Sequence, residues 1–146
     1  MDLKQQLKQY EGTKEYQTKV GYFKNGKYWP YKDSLGYWTI GFGHLVLKGE
    51  DFSTGQADAL LDKDIAIARA GVLQLGVTLP ADSRWNDFLV MMVFQLGLTK
   101  TRGFKKFLAA LNNGNYARAI IEVKDSAWYR QTPARVDSMI AYVVRG

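Results

Sequence analysis

The segment from Tyr31 to Leu45 constrains the fold of this 146-residue chain more than any other stretch. It contains a Lys-Asp-Ser-Leu-Gly turn, and the alternation of Tyr37, Thr39 and glycines behind the turn is typical of a short strand that another backbone or a ligand approaches closely. Upstream, Asn25-Gly26 is the best short hairpin signal in the sequence. We therefore predict a small antiparallel sheet within about residues 17–45.

The N-terminus carries a helical pattern instead. Asp2 is suited to cap a first helix whose apolar residues recur on one stripe. Glu11 follows this stripe directly, and Gly12 is the residue type that ends a helix. The pattern leaves the Glu11 carboxyl beside apolar side chains, near the point where the chain leaves the helix.

Helical periodicity returns after Gly49. Ser53 with Gln56 forms a capping box that begins a helix of about 20 residues. Beyond Pro80 everything is typical of helices, including a central core helix over residues 82–96 that is apolar nearly all round. Shorter helices are predicted around residues 104–111, 116–123 and 133–144.

We therefore predict a single α+β domain over residues 1–146, with a small β-containing N-terminal lobe, a larger all-helical C-terminal lobe and a cleft between them. A long helix joins the two lobes. The predicted bounds are about 12–52 for the β-containing lobe, 53–74 for the linking helix, and 75–146 together with the N-terminal helix 2–11 for the helical lobe.

Composition excludes several classes of protein. With 47% hydrophobic and 14% aromatic residues, the chain is not disordered. The nearest apolar run, Phe88 to Phe94, is far shorter than the roughly 20 residues of a membrane span. The polar start lacks the apolar core of a signal peptide. One histidine and no cysteine cannot build a zinc centre, so no metal and no cofactor are expected.

The net charge of +6 is unevenly distributed. Residues 1–99 carry 11 Lys/Arg and 11 Asp/Glu, whereas residues 100–146 carry 9 and 3, so the whole excess lies in the last third. Such a basic lobe suits attraction to an anionic cell-wall polymer or membrane surface, and it equally suits a solvated, soluble surface. Nucleic acid is not expected as a partner, because Lys105-Lys106 is the longest basic run and no recognition motif accompanies it.

Two carboxylates stand out by position. Glu11 ends one element, and Asp33 lies in the turn of another. A carboxyl that stays protonated and a second that stays ionised, brought together from separate segments, are the minimum equipment for hydrolysing a glycosidic bond.

The motifs resemble those of the T-even phage lysozymes, glycoside hydrolase family 24, which cleave bacterial peptidoglycan. The blocks lie in family order and cover nearly the whole chain, which implies a lysozyme-like α+β fold. They are Glu11-Gly12, Asp33 to Leu45, Met92-Val93-Phe94-Gln95-Leu96-Gly97, Gly103-Phe104 and residues 126–135.

The resemblance implies a role for each catalytic residue. Glu11 would be the general acid, and Arg135 matches the family's arginine beside it. Asp33 would act with Thr39 on a water molecule that attacks the anomeric carbon from the opposite face. This inverting scheme needs carboxyl groups roughly 6.5–9.5 Å apart, whereas a retaining scheme with Asp33 as nucleophile needs roughly 5–5.5 Å, and the resemblance favours inversion.

Other positions match the family's supporting residues. His44 is a general-base candidate by residue type, but it matches a structural histidine that pairs with an aspartate, here Asp64. Leu45, Phe94 and Gln95 match positions that line the saccharide cleft. Plain core packing explains Phe94 equally well, and Trp128 is expected in the core beside Gln95.

The chain also departs from the family. Between Glu11 and Asp33 it is longer than the T-even enzymes, and the excess includes the Asn25-Gly26 hairpin. This segment could lengthen the glycan groove, contact the peptide stem or enlarge the sheet. At two substrate-contact positions, a serine and an asparagine of the family are replaced by Phe107 and Glu122.

The implied function is hydrolysis of the β-1,4 bond between N-acetylmuramic acid and N-acetylglucosamine. A non-catalytic cationic wall-binding module is the alternative, although such a module has no need of the Glu11, Asp33 and Thr39 set. Permeabilisation of membranes is less suited, because residues 133–144 carry only one Arg and one Asp. We expect no stable membrane insertion.

The sequence does not distinguish between two ways in which the protein reaches the cell wall. Without a signal peptide, the chain is expected in the host cytoplasm and then at the cell wall as a free endolysin, a monomer. It equally fits a domain of a larger phage tail protein, which would be virion-associated.

Overall fold

The computed structural model describes residues 2–20, 22–29, 31–32, 38–42, 44–45 and 52–145. The chain forms two compact units, residues 1–66 and 67–146, called here the first and second unit. The described helices are α1 Leu3–Glu11, α2 Lys14–Val20, α3 Thr54–Leu73, α4 Trp85–Leu96, α5 Leu98–Arg102, α6 Lys105–Asn112, α7 Tyr116–Lys124, α8 Ala127–Gln131 and α9 Pro133–Arg145. The described strands are β1 Phe23–Lys24, β2 Lys27–Tyr28, β3 Tyr31–Lys32, β4 Trp38–Ile40, β5 His44–Leu45 and β6 Phe52–Ser53. The predicted α+β class is confirmed, while the predicted lobe boundaries stay a prediction.

Helix α1 begins and ends as its sequence predicts. The Asp2 carboxylate accepts a hydrogen bond from the Gln5 main-chain N–H at 2.9 Å, and the Gln5 side chain accepts one from the Asp2 main-chain N–H at 3.0 Å. This reciprocal capping box satisfies two N–H groups that a helix start otherwise leaves unpaired. Gly12 ends the helix with φ 96°, a conformation that favours glycine.

The Asn25-Gly26 hairpin is also confirmed. Asn25 and Gly26 have φ of 54° and 73°, the two positive values that a type I′ turn requires. The turn pairs β1 with β2 in antiparallel register, and β2 pairs on its other edge with β6. A second antiparallel sheet has the order β3-β4-β5. Part of the segment between Glu11 and Asp33 therefore forms sheet, and the role of its extra length stays a prediction.

The prediction of β-structure from Gln17 onward is wrong for its first residues, because residues 14–20 form helix α2. Thr13 explains the difference. Its hydroxyl oxygen accepts from the Tyr16 main-chain N–H at 3.1 Å, and its carbonyl accepts from the Gln17 N–H at 2.9 Å, which is an N-terminal cap. This local capping outweighs the β propensity of Tyr16 and Val20.

The second unit is helical and has α4 at its centre. Every residue from Phe88 to Val93 is buried, as is Trp85. The helix begins three residues later than predicted, and α6, α7 and α9 lie close to their predicted bounds. The short helices α5 and α8 were not predicted. In the described part of the chain, no helix combines the length and apolarity needed to cross a membrane.

An ion-pair network joins α1 to the first turns of α3 within the first unit. Lys4 contacts Asp58 at 3.0 Å and Asp62 at 2.9 Å, and Lys8 contacts Asp58 at 2.6 Å. The Lys8 and Lys4 ammonium groups lower the pKa of the Asp58 carboxyl, and Asp62 and Asp58 raise the pKa of Lys4. Because α1 ends at Glu11, the network helps to hold the helix that carries this residue.

The network predicts a pH-dependent contribution to stability. Since the folded-state pKa of Asp58 is lowered, its contribution is present above the unfolded pKa and is lost as pH falls through the folded value. The Asp58 side chain is 42% exposed, so solvent screening keeps the effect small. We expect Asp58→Asn to reduce the free energy of unfolding at pH 7 by roughly 0.5–1 kcal/mol, with the deficit shrinking below about pH 4.

Thermal unfolding at several pH values measures this deficit. The exposed Asp82, outside the network, supplies the control Asp82→Asn. A deficit for Asp58→Asn that persists unchanged at pH 2 would assign it to something other than ion pairing.

Candidate active site

Glu11 lies at the end of α1 and its main chain is held by a tyrosine from the sheet. The residue is half-buried, and its carbonyl accepts a hydrogen bond from the Tyr31 hydroxyl at 3.0 Å. The Tyr31 ring stacks on Tyr22, with centroids 4.4 Å apart and planes 7° from parallel. Stacking on Tyr22 thus holds the Tyr31 hydroxyl in place, and this hydroxyl holds the main chain of residue 11.

Thr39 lies in the middle of β4 and is 2% exposed. Its Cα partners across the ladder are Tyr31 on one side and Leu45 on the other. The strand that carries Thr39 therefore pairs with the strand whose tyrosine binds the Glu11 carbonyl. Two of the three predicted catalytic residues lie on segments that this structure joins directly.

Gln17 of α2 supplies a second connection that the sequence did not predict. Its side-chain Nε2 donates to the Gly12 carbonyl at 2.8 Å and to the Gly41 carbonyl at 2.7 Å. Gly12 follows Glu11, and Gly41 lies two residues beyond Thr39. No sequence periodicity indicates this link, because it joins three separate segments. Gln17 lies on α2, Gly12 follows α1 and Gly41 follows β4.

Gly41 has a conformation and a neighbour that both require glycine. Its φ is 61°, and a Cβ at this position would lie 3.0 Å from the Ala57 Cβ on α3. A side chain here would strain the turn and push against the helix. This is the close backbone approach that the sequence pattern predicted behind the strand.

Several predicted residues remain untested. Asp33 lies outside the described residues. The side chains of His44 and Leu45 are not described either, so their predicted roles stay predictions. The main chain of His44 and Leu45 forms β5. Asp64 is half-buried on α3, and its pairing with His44 stays a prediction. Arg135 is half-buried on α9, and its place beside Glu11 also stays a prediction.

In the second unit, Gln95 and Trp128 pair as predicted. Trp128 is 4% exposed, and its indole Nε1 donates to the Gln95 Oε1 at 3.0 Å. Phe94, the residue before, is only half-buried. Its ring is therefore not confined to the core, which leaves its predicted contact with saccharide open.

An open pocket of about 700 Å³ lies in the second unit, between α6 and the α7–α8 region. It brings together Phe107 and Glu122, the two residues that the resemblance predicts to replace a serine and an asparagine of the family's substrate contacts. The remaining lining residues are Leu96, Lys100, Gly103, Phe104, Lys105, Lys106, Asp125, Ser126, Ala127, Trp128 and Gln131.

The chemistry of this pocket combines aromatic walls with charge. Phe107 is buried and Phe104 half-buried, whereas Lys100, Lys105 and Lys106 are exposed at its rim. Glu122 and Asp125 line the same pocket, so it offers both signs of charge and suits a polar ligand such as a substituted sugar. The sequence indicated the lysines only as part of a basic lobe.

Among the described residues, no group of three or more His, Asp or Glu side chains is arranged to hold a metal ion. The prediction that the site works without metal or cofactor stays a prediction, since Asp33 lies outside the described residues.

Comparison with known proteins gives consistent matches. The phage lysozyme family matches residues 8–140. "Probable T4-type lysozyme 2" of Dictyostelium discoideum is 30% identical over 146 aligned positions, which cover 80% of this chain and 85% of that protein. The "Pre-baseplate central spike protein Gp5" of Enterobacteria phage T4 is 26% identical, covering 80% of this chain and 25% of the spike protein. An "Endolysin" of Acyrthosiphon pisum secondary endosymbiont phage 1 is 32% identical, covering 63% of each chain.

Proposed function

Because this chain belongs to the phage lysozyme family and is a cell-wall hydrolase, we propose that it cleaves the β-1,4 bond between N-acetylmuramic acid and N-acetylglucosamine of peptidoglycan with inversion at the anomeric carbon. The observation that carries the proposal is the connection of the Glu11 segment to the sheet containing Thr39. Tyr31 makes this connection by donating to the Glu11 carbonyl while its own strand pairs with β4.

In the proposed reaction, Glu11 gives its proton to the glycosidic oxygen as the bond to the anomeric carbon breaks. A water molecule attacks that carbon from the opposite face, and Asp33 accepts the proton that the water loses. Thr39 holds this water in line. We propose that Arg135 supports Glu11 and that a His44–Asp64 pair supports the sheet.

The position of Glu11 supports its role as acid. The residue is half-buried at the end of α1, and the Tyr31 hydroxyl holds its main chain beside the sheet. The Asp33 carboxyl, in its predicted turn, is the group expected to stay ionised.

The proposed saccharide contacts are Leu45, Phe94 and Gln95. The pocket around Phe107 and Glu122 adds a surface where substituted sugars or peptide-bearing groups of the wall polymer could bind. The exposed lysines at its rim would favour the carboxylates of peptidoglycan.

The proposal places the chain at the bacterial cell wall. The spike protein and the endolysin among its relatives represent the two routes predicted from the sequence, a virion-associated domain and a free endolysin. We propose peptidoglycan glycan strands as its partner in either case.

The anomeric form of the first product tests the mechanism. If Asp33 activates water, a single displacement on a β-linked substrate gives an α-configured reducing end. Proton NMR during early hydrolysis of soluble peptidoglycan fragments distinguishes the α-anomer from the β-anomer before mutarotation interconverts them. An initial β-anomer would contradict inversion, because it requires a double displacement through a covalent intermediate. Absence of any cleavage would contradict the proposed activity itself.

A further inference from the structure

Gln17 is a buried polar residue with an unusual set of contacts. It is 1% exposed, and it lies on α2, in the segment between Glu11 and Asp33. Both of its side-chain hydrogen bonds run from Nε2 to main-chain carbonyls, those of Gly12 and Gly41.

The chemistry of these acceptors explains why the residue is a glutamine. Two carbonyl oxygens that meet at one atom need two N–H donors on that atom, which the primary amide supplies. Within the described part of the chain, the Gln17 Oε1 has no hydrogen-bond partner. A residue that only filled space here would be apolar, since burying an unpaired amide oxygen is unfavourable. The two donated bonds are therefore what the side chain contributes.

We propose that Gln17 is a positioning residue for catalysis, fixing the main chain that follows the general acid Glu11 relative to the main chain that follows the Thr39 strand. The inference rests on the proposed function, in which Glu11 and Thr39 act on opposite faces of one sugar. Displacements of about 1 Å between catalytic groups reduce rates by up to about 10²-fold, so a clamp on these two segments acts on turnover.

Helix α2 is itself tied to the sheet, which makes it a suitable support. The Gln17 carbonyl accepts from the Tyr22 main-chain N–H at 2.7 Å. Tyr22 in turn stacks on Tyr31, the tyrosine that binds the Glu11 carbonyl. The segment between Glu11 and Asp33 thus contacts the Glu11 region by two routes, through Gln17 and through Tyr31. Positioning of the acid is therefore a role that this segment can fulfil.

Gln17→Met removes both donors while nearly preserving side-chain volume. We expect kcat on soluble peptidoglycan fragments to fall at least about tenfold with KM within about threefold of wild type, because the clamp acts on the geometry of reaction and not on saccharide binding. Gln6→Met is the matched control. Gln6 is also a buried glutamine of this unit, 6% exposed, but it lies on α1 and does not bridge to Gly41. Both variants are assayed at a temperature where circular dichroism shows them fully folded.

Gln17→Glu adds a pH signature that lost stability alone would not give. A buried carboxyl facing two carbonyl oxygens has a raised pKa, since its charged form is disfavoured there. Its protonated form keeps one donor and its ionised form keeps none. We therefore expect the kcat of Gln17→Glu, relative to wild type, to fall as pH rises through that pKa.

The outcomes separate this inference from the proposed function. If the wild type is active and Gln17→Met keeps the wild-type kcat, the positioning role is wrong and the proposed lysozyme activity is unaffected. Lower thermal stability with an unchanged kcat would lead to the same conclusion. If Gln17→Met does not fold, the pH profile of Gln17→Glu decides, and loss of folding in both variants at every pH would make Gln17 structural only. An inactive wild type would instead remove the proposed function.

Discussion

Glu11→Gln is expected to lower kcat by at least about 10²-fold while the protein stays folded, because an amide has no proton to give the leaving oxygen at the required acidity. The fold should survive for a structural reason. The hydrogen bond that ties residue 11 to β3 uses its main-chain carbonyl, which the substitution leaves in place. Release of reducing ends from purified peptidoglycan measures the rate, and circular dichroism measures the fold.

The control for this experiment is Asp82→Asn. It makes the same change of carboxylate to amide at an exposed turn residue that takes no part in the site. We expect its turnover to match that of the wild type. Turnover of Glu11→Gln within about threefold of wild type would remove Glu11 from the mechanism, and a parallel loss in Asp82→Asn would point to a general effect of losing one negative charge.

Features that depend on neighbouring residues were predictable from the sequence. The capping box at Asp2 and Gln5, the helix end at Gly12 and the Asn25-Gly26 turn each arise from local chemistry within four residues. Central helix α4 was predictable because a segment that is apolar on all faces has to be buried. The Gln95–Trp128 contact was predictable only through the family resemblance, since the two residues lie 33 positions apart.

Helix α2 shows where such prediction fails. Its residues include good strand formers, and the β pattern from Gln17 onward does not take account of the cap that Thr13 provides. The difference matters for the site, because helix α2 brings the Gln17 side chain to the Gly12 and Gly41 carbonyls. The Gln17–Gly41 bond spans 24 positions and involves a main-chain acceptor, which no side-chain pattern reports.

The arrangement of charge in the second unit was also not predictable. The sequence shows that the basic excess lies after residue 99, but not how these side chains are arranged in space. Folding places Lys100, Lys105 and Lys106 around a pocket that also contains Glu122 and Asp125. The lysines are therefore partly balanced at this surface, and the helical geometry of α5 and α6 determines which charges face a ligand.

Asp33→Asn should also lower kcat by at least about 10²-fold, because the amide cannot accept the proton that the attacking water loses. KM should stay near the wild-type value, since activation of water stabilises the transition state and not the bound substrate. Steady-state kinetics on soluble fragments measure both constants, again with Asp82→Asn as the control. A rise in KM at constant kcat would assign Asp33 to saccharide binding.

The double variant Glu11→Gln/Asp33→Asn tests whether the contributions of the two carboxylates to catalysis depend on each other. In the proposed inversion, proton donation and water attack occur together, so removing the second group costs little once the first is gone. We expect the double variant to be about as slow as the slower single variant. Losses that multiply would mean that the two groups contribute independently to the rate, and the proposed cooperation of Glu11 and Asp33 in one displacement would be wrong.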